Sequence, residues 1–161
     1  MNQNKYQISK TPHTLLVEDN AGDVLLIKEC FREIGKPYDL SVAKDGQEAV
    51  DFLRRTEKFK DAERPDLVLL DLNLPKLSGH EVLAYVKGHA EFQKIPVLVL
   101  STSRAPADIQ KAYALAANCY ICKPSTLDEF RHLIKTLQEF WLELVRFPTG
   151  VTIAPAYSAV G

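Results

Sequence analysis

The chain has 161 residues, with 20 Lys+Arg against 21 Asp+Glu and a formal net charge of −1 at pH 7. That length fits one domain with short extras, since a domain takes roughly 100–200 residues, so no separate effector domain is expected. The near-neutral balance offers no basic patch for nucleic acid or an acidic membrane, while 46% hydrophobic and 25% charged residues suit a chain with a buried core.

Cys30, Cys119 and Cys122 are too few and too unevenly spaced for a secreted disulfide framework, which points to a reducing cytoplasm. Residues 1–13 read as a flexible lead-in without an apolar export segment. The uncharged stretch 147–161 is broken by Pro148, Gly150 and Pro155. It falls short of the about 20 apolar residues that a membrane span needs.

From Thr14 the chain alternates. Thr14 to Val17 reads as a first strand, and Val24, Ile27, Phe31 and Ile34 recur at helical spacing until Gly35 and Pro37. Leu40 to Ala43 is a second strand, Gly46 to Arg55 a second helix, and Thr56 to Pro65 a charged loop. Asp66 to Leu70 and Pro96 to Leu100 are continuous apolar runs, the pattern of strands covered on both faces. Ser78 to Gly88 and Pro106 to Ala116 read as helices, and Cys119 to Cys122 as a short fifth strand. Thr126, with Glu129 three residues on, opens a last helix whose Phe130, Leu133, Leu137, Phe140, Trp141 and Leu144 are expected along one face. Five strands alternating with five helices predict an α/β fold, a doubly wound five-stranded parallel sheet in the order 2-1-3-4-5.

Such a sheet places its ligand site at the carboxyl ends of strands one and three, where the winding reverses. Glu18 and Asp19 follow the first strand and Asp71 follows the third. Two carboxylates about 5 Å apart repel by roughly 3 kcal/mol at an effective dielectric of about 20, so a divalent cation is expected to offset them. Mg²⁺ suits one or two carboxylates with waters and phosphate oxygens. Ser101 follows the fourth strand and Lys123 the fifth. A hydroxyl and an ammonium opposite a cation suit a phosphoryl group, whose charge lies on three peripheral oxygens. Asp71 is then the candidate nucleophile, with Glu18 and Asp19 as metal ligands.

Four segments carry a resemblance: Val17-Glu18-Asp19-Asn20, Asp71 to Gly79, Leu100-Ser101-Thr102, and Tyr120 to Pro124. In that order, each at a predicted strand end, they resemble the receiver domains of bacterial two-component response regulators over residues 13 to 145. The resemblance implies a phosphoacceptor at Asp71 and a metal site of Glu18, Asp19, Asp71 and the Asn73 main-chain carbonyl. It also implies a switch hydroxyl at Ser101, its charge partner at Lys123, and a switch aromatic at Tyr120. Mn²⁺ or Ca²⁺ is expected to substitute for Mg²⁺, and the Lys123-Pro124 peptide is expected to be cis, as in the family. Residues 14–146 are expected to form the receiver and 147–161 a tail.

The run from Glu18 to Ile27, the segment Ala117 to Ile121, and Glu139-Phe140-Trp141 on an extended last helix are similar to the single-domain regulators of bacterial phytochrome histidine kinases. That similarity implies a phytochrome sensor histidine kinase as partner, a red/far-red light pathway, and a homodimer through the helix 4, strand 5 and helix 5 region. Alternatives are a phosphorylation-independent adaptor, a receiver serving a non-phytochrome kinase, and a small-molecule phosphatase. Asn73 stands where a phosphatase would need a second acid. A redox reading of Cys119-Tyr-Ile-Cys122 fails, because residues three apart in a strand face opposite ways. His13, His80, His89 and His132 are too scattered for a zinc site. Removing Lys5, Lys10 and the uncharged tail leaves 18 basic and 21 acidic residues, a balance of −3, which Glu18, Asp19 and Asp71 concentrate around Lys123.

Overall fold

The computed structural model describes residues 11–148. Most of the lead-in and nearly all of the tail therefore lie outside the described residues. Five parallel strands form one sheet in the order β2-β1-β3-β4-β5: β1 (His13–Val17), β2 (Asp39–Ala43), β3 (Leu67–Leu70), β4 (Val97–Ser101) and β5 (Cys119–Cys122). Five helices connect or follow them: α1 (Ala21–Glu33), α2 (Gly46–Arg54), α3 (Gly79–Gly88), α4 (Pro106–Ala114) and α5 (Leu127–Gln138). The predicted fold class and strand order are those observed.

Alternation along the strands divides the core into two layers. Leu15, Val17, Val68, Leu70, Val97 and Val99 pack with Phe52 and Leu53 of α2 and Val82, Leu83 and Val86 of α3. Leu16, Leu67, Leu69, Leu98 and Leu100 pack on the other face with Ile27 and Phe31 of α1 and Phe130 and Ile134 of α5. The three central strands are buried along their whole length, which is why their sequences read as unbroken apolar runs. Phe147 is also buried in the second layer.

Helix starts are set by short polar residues that accept otherwise unpaired N–H groups. Asn20 Oδ1 accepts from Asp23 N at 2.9 Å, and Thr126 Oγ1 from Glu129 N at 3.3 Å. Ser78 and Glu81 form a reciprocal capping box at α3. Alone among the five, α4 has no side-chain bond from its N-cap, because that residue is Ala105.

Several boundaries depart from the sequence reading. The fourth helix stops at Ala114, and Ala116 takes a left-handed φ of 68°. The charged loop contains a 3-10 turn, Glu57–Phe59, pinned where Phe59 meets the Phe52 ring edge-on at 5.3 Å. The last helix is not one continuous amphipathic face. After Gln138 it loosens into a π-helical segment, Glu139–Leu144, which rotates the register and leaves Phe140 51% and Leu144 70% exposed. Trp141 still packs on the second core layer.

The start of α2 carries two acids held below their ordinary pKa. For Glu48 the cause is a hydrogen bond from Lys44 N at 2.8 Å, then the ion pair with Lys58. For Asp45, burial works in the opposite direction, but the Glu48 N–H and the Lys76 ammonium at 3.2 Å outweigh it. Folded values below the unfolded ones mean that this stabilisation is complete above the ordinary values of 3.8 and 4.5 and is lost as the pH falls through the folded values. An Asp45→Asn, Glu48→Gln double variant should be less stable than wild type by about 1 kcal/mol at pH 6 and equal to it near pH 2. Urea titrations across that range measure the difference, and parallel stability curves would contradict it.

Candidate functional site

The chain winds from β1 to β2 on one side and then crosses to β3 on the other, so a crevice opens between the carboxyl ends of β1 and β3. Sheet-type backbone bonds run one residue past the strands and fix what emerges there. Glu18 N donates to Ala43 O at 3.0 Å, Asp71 N to Val17 O at 3.0 Å, and Lys123 N to Ser101 O at 2.8 Å. Glu18, Asp71 and Lys123 are thus placed by the sheet itself, and Ser101 is the last residue of β4.

Carboxylate oxygens of Glu18, Asp19 and Asp71 lie within 4.8 Å of one another, with Glu18 and Asp71 buried and Asp19 exposed. One cation can reach all three, and hard oxygen donors with an exposed side are what a partly hydrated divalent ion requires. Lys123 Nζ donates to Glu18 Oε2 at 2.6 Å and Asp23 Oδ2 at 2.9 Å, and pairs with Asp71 Oδ2 at 3.7 Å. Burial raises the Glu18 carboxyl to about 7, against the opposing pull of the Lys123 hydrogen bond and charge. For Lys123, burial acts downward, but the bonds to Glu18 and Asp23 hold it above its ordinary value.

Ser101 is fully buried, and its Oγ accepts from Ser103 N at 3.2 Å. Tyr120 is half-buried against the first core layer, and its hydroxyl donates to Ser103 O at 2.8 Å. Asn73 is exposed in the bend after β3, its N–H 3.4 Å from Asp71 Oδ1. Six of the seven residues singled out from the sequence therefore lie at the carboxyl edge of the sheet or in the loops that leave it, and Tyr120 lies within β5, level with Val99 of β4. Cys119 and Ile121 face the second core layer and Tyr120 the first, and all three cysteines are free thiols.

The Lys123–Pro124 peptide is trans, contrary to the expectation of cis, and no cis peptide bond occurs among the described residues. Trans is the lower-energy isomer even before proline, and in it Lys123 already reaches three carboxylates.

Residues 14–135 match the family model described as the response regulator receiver domain. The chain belongs to the response regulator receiver family. Response regulator Rcp1 of Synechocystis sp. is 39% identical over 136 residues, covering 84% of this chain and 92% of Rcp1. The Mn(2+)-bound structure of Rcp1 superposes with a TM-score of 0.81 at 37% identity, over 85% of this chain and 99% of that one. The phosphorylated cyanobacterial phytochrome response regulator RcpA has a TM-score of 0.84 at 42% identity, over 87% of this chain and all of that one. The probable methanogenesis regulatory protein FilR2 of Methanothrix harundinacea is 38% identical over 134 residues, 83% of this chain and 86% of FilR2. As a receiver, the protein takes part in phosphorylation-based signalling with a histidine kinase, and its acidic cluster fits the divalent metal that receivers bind.

Two contributors to this receiver's site were not identified from the sequence. Asp23 was visible in principle, because it stands in the first turn of the helix that Asn20 caps, directly after the acidic pair. The bonds of Ser103 to Ser101, Ala105 and Asp108 are local, and only its contact with Tyr120 depends on β5 lying beside β4.

Gly79 opens α3 directly against the backbone of Asp71. A Cβ there would meet Asp71 O at 2.2 Å and Leu72 Cα at 2.5 Å, whereas at Gly88, the other end of the helix, it would meet nothing within 4 Å. Gly79→Ala should therefore destabilise by about 1–3 kcal/mol and weaken Mn²⁺ binding, because the backbone carrying Asp71 must shift. Gly88→Ala should be neutral or stabilising by up to about 1 kcal/mol. Thermal melts and Mn²⁺ titrations of both variants check this, and equal effects at the two glycines would contradict it.

Proposed function

We propose that this receiver is a stand-alone response regulator that accepts a phosphoryl group on Asp71 from a phosphohistidine of a sensor kinase. The observation that carries this reading is the convergence of Asp71 with Glu18 and Asp19 beside a buried lysine that pairs with all but Asp19. A carboxylate oxygen of Asp71 attacks phosphorus, the P–N bond breaks, and the departing histidine nitrogen keeps the electron pair and takes up a proton. Glu18, Asp19, Asp71 and the Asn73 main-chain carbonyl would hold Mg²⁺, with Mn²⁺ or Ca²⁺ able to substitute. That ion, when bound, supplies positive charge next to the phosphoryl oxygens. Lys123 and Ser101 offer an ammonium and a hydroxyl to the remaining oxygens, and Tyr120 follows Ser101 as the second part of the switch.

In this reading the protein catalyses only its own metal-dependent phosphorylation and slow dephosphorylation. The receiver proper is 14–146, with the segment after it as a tail, and the protein works in the cytoplasm. Similarity to Rcp1 and RcpA supports a bacterial phytochrome kinase as the partner and a red/far-red light pathway. The output surface is a homodimer contact on α4, β5 and α5, where Tyr113 is 51% and Leu127 58% exposed. The comparable identity to FilR2 favours a second reading, in which the same chemistry serves a non-phytochrome kinase.

Wild type should be labelled by a phosphorylated phytochrome-type kinase in the presence of Mg²⁺, and Asp71→Asn should not. Labelling retained at another residue would overturn the acceptor assignment, and faster transfer from an unrelated kinase would support the second reading. Sedimentation of wild type with Mg²⁺ and beryllofluoride, a phosphoryl mimic, should show a larger dimer fraction than the untreated protein.

A further inference from the structure

The end of the sheet away from the acidic crevice gathers a second set of charges and rings. Helices between parallel strands run back to the amino ends of those strands, so α2 and α3 both finish there. An open groove of about 570 Å³ lies between these two ends, where Arg54, Arg55, Tyr85, His89, Glu91 and Phe92 line it. Its aromatic wall is built outward from the core. Phe92 is buried, Tyr85 is half-buried with its ring centroid 6.1 Å from that of Phe92, and the exposed His89 ring lies against Tyr85 at 4.1 Å. A hydrogen bond from His89 Nδ1 to Tyr85 O at 2.6 Å fixes the imidazole there. Glu91 is neutralised by Arg64 at 2.6 Å, and Arg64 in turn rests over the Phe92 ring at 5.4 Å. Neither Arg54 nor Arg55 has a side-chain partner among the described residues, which leaves two uncompensated positive charges beside the rings. The dipole of α2 accounts for a cation in its last turn, and so for Arg54. It does not account for Arg55, which takes a left-handed φ of 57° at the end of α2, where glycine is the usual residue.

We propose that this groove binds a nucleoside phosphate, with the base stacked on the His89 and Tyr85 wall and the phosphates held by Arg54 and Arg55. Guanidinium groups grip phosphate oxygens through paired N–H donors, and a base stacks on an aromatic wall that keeps one ring exposed. The volume falls in the range of small-molecule sites, about 300–1,000 Å³. Inorganic phosphate would use the arginines alone. An acidic peptide would satisfy the arginines but leave the rings without a flat partner, so the combination favours a nucleotide. The groove shares no residue with the acidic crevice, and the proposal does not depend on Asp71 being the phosphoacceptor.

The test is calorimetric titration of the full chain in metal-free buffer, so that no cation can bridge a phosphate to the acidic crevice. ADP should bind about 10-fold more tightly than pyrophosphate or adenosine, because each of these keeps only one half of the contacts. Arg55→Gly should weaken ADP binding about 10-fold without lowering the melting temperature, since glycine relieves the left-handed backbone while the phosphate contact is lost. His89→Ala should weaken ADP binding about 5-fold and leave pyrophosphate binding unchanged. Asp71→Asn should bind ADP as wild type does, which separates this site from the phosphoacceptor. Absence of ADP binding at millimolar concentration, equal affinity for ADP and pyrophosphate, or an Arg55→Gly variant that binds like wild type overturns the proposal and leaves the receiver reading intact. A poly-glutamate peptide that binds where ADP does not overturns it in favour of an acidic protein segment.

Discussion

The constraint on which the site depends is a single buried ammonium among carboxylates. Lys123 is ion-paired to Glu18, Asp23 and Asp71, and Asp19 stands close by. One positive charge cannot neutralise four acids. Part of the excess is relieved by Glu18 itself, whose burial raises its carboxyl to about 7. The rest leaves a locally negative crevice that attracts a divalent cation. Repulsion that would destabilise an ordinary fold is here the source of affinity, since a cation bound only by the folded chain adds its binding energy to stability.

That arrangement persists because the sheet holds it. Glu18, Asp71 and Lys123 each donate a backbone bond to the strand beside them, so none can retreat from the others without loss of sheet pairing. The strands that carry the acids are central and fully buried, and Gly79 allows α3 to press against the Asp71 backbone. The strands therefore hold Glu18 and Asp71, whereas Ser101 and Tyr120 sit nearer the margin. Ser101 leads into an irregular loop, and Tyr120 belongs to β5, a half-buried edge strand. The acidic crevice is thus held more rigidly than the segments of Ser101 and Tyr120.

How much of this was legible in the sequence follows from which interactions are local. The parallel sheet covered on both faces followed from apolar runs that recur between helical segments, because burial on both faces leaves a pattern in the residues themselves, whereas alternation alone does not choose among doubly wound strand orders. The acidic pair, Asp71, Ser101 and Lys123 were legible because each lies at a strand end, and topology gathers strand ends. Resemblance supplied the roles of Asn73 and Tyr120. The contact of Asp23 with Lys123 and that of Ser103 with Tyr120 were not legible, since each joins segments that become neighbours only in the fold. The exposed faces of Phe140 and Leu144 escaped for another reason: a π-helical segment shifts the register by less than a turn, and apolar spacing alone does not reveal it.

The two sides of the sheet are unequally fastened, and the inequality assigns direction to the signal. On the α1 and α5 side, Arg131 reaches Glu29 and Glu33 across the helix pair, and Lys36 reaches Glu143. Phe130 and Ile134 of α5 lie buried in that layer, with Phe147, which follows the π-helical segment, in the same cluster. On the other side, α4 buries only Ala112 of its own residues and has no cap of its own. Its polar contacts join Asp108 to the Ser103 hydroxyl and to His80 of α3, and the Tyr113 hydroxyl to Tyr120 N of β5. An element held chiefly by polar bonds shifts when one acceptor is withdrawn, whereas an element held by a packed apolar face does not. In the proposed reading, with Asp71 as the phosphoacceptor, α4 and β5 are the elements placed to respond, while α1 and the buried face of α5 form the fixed side.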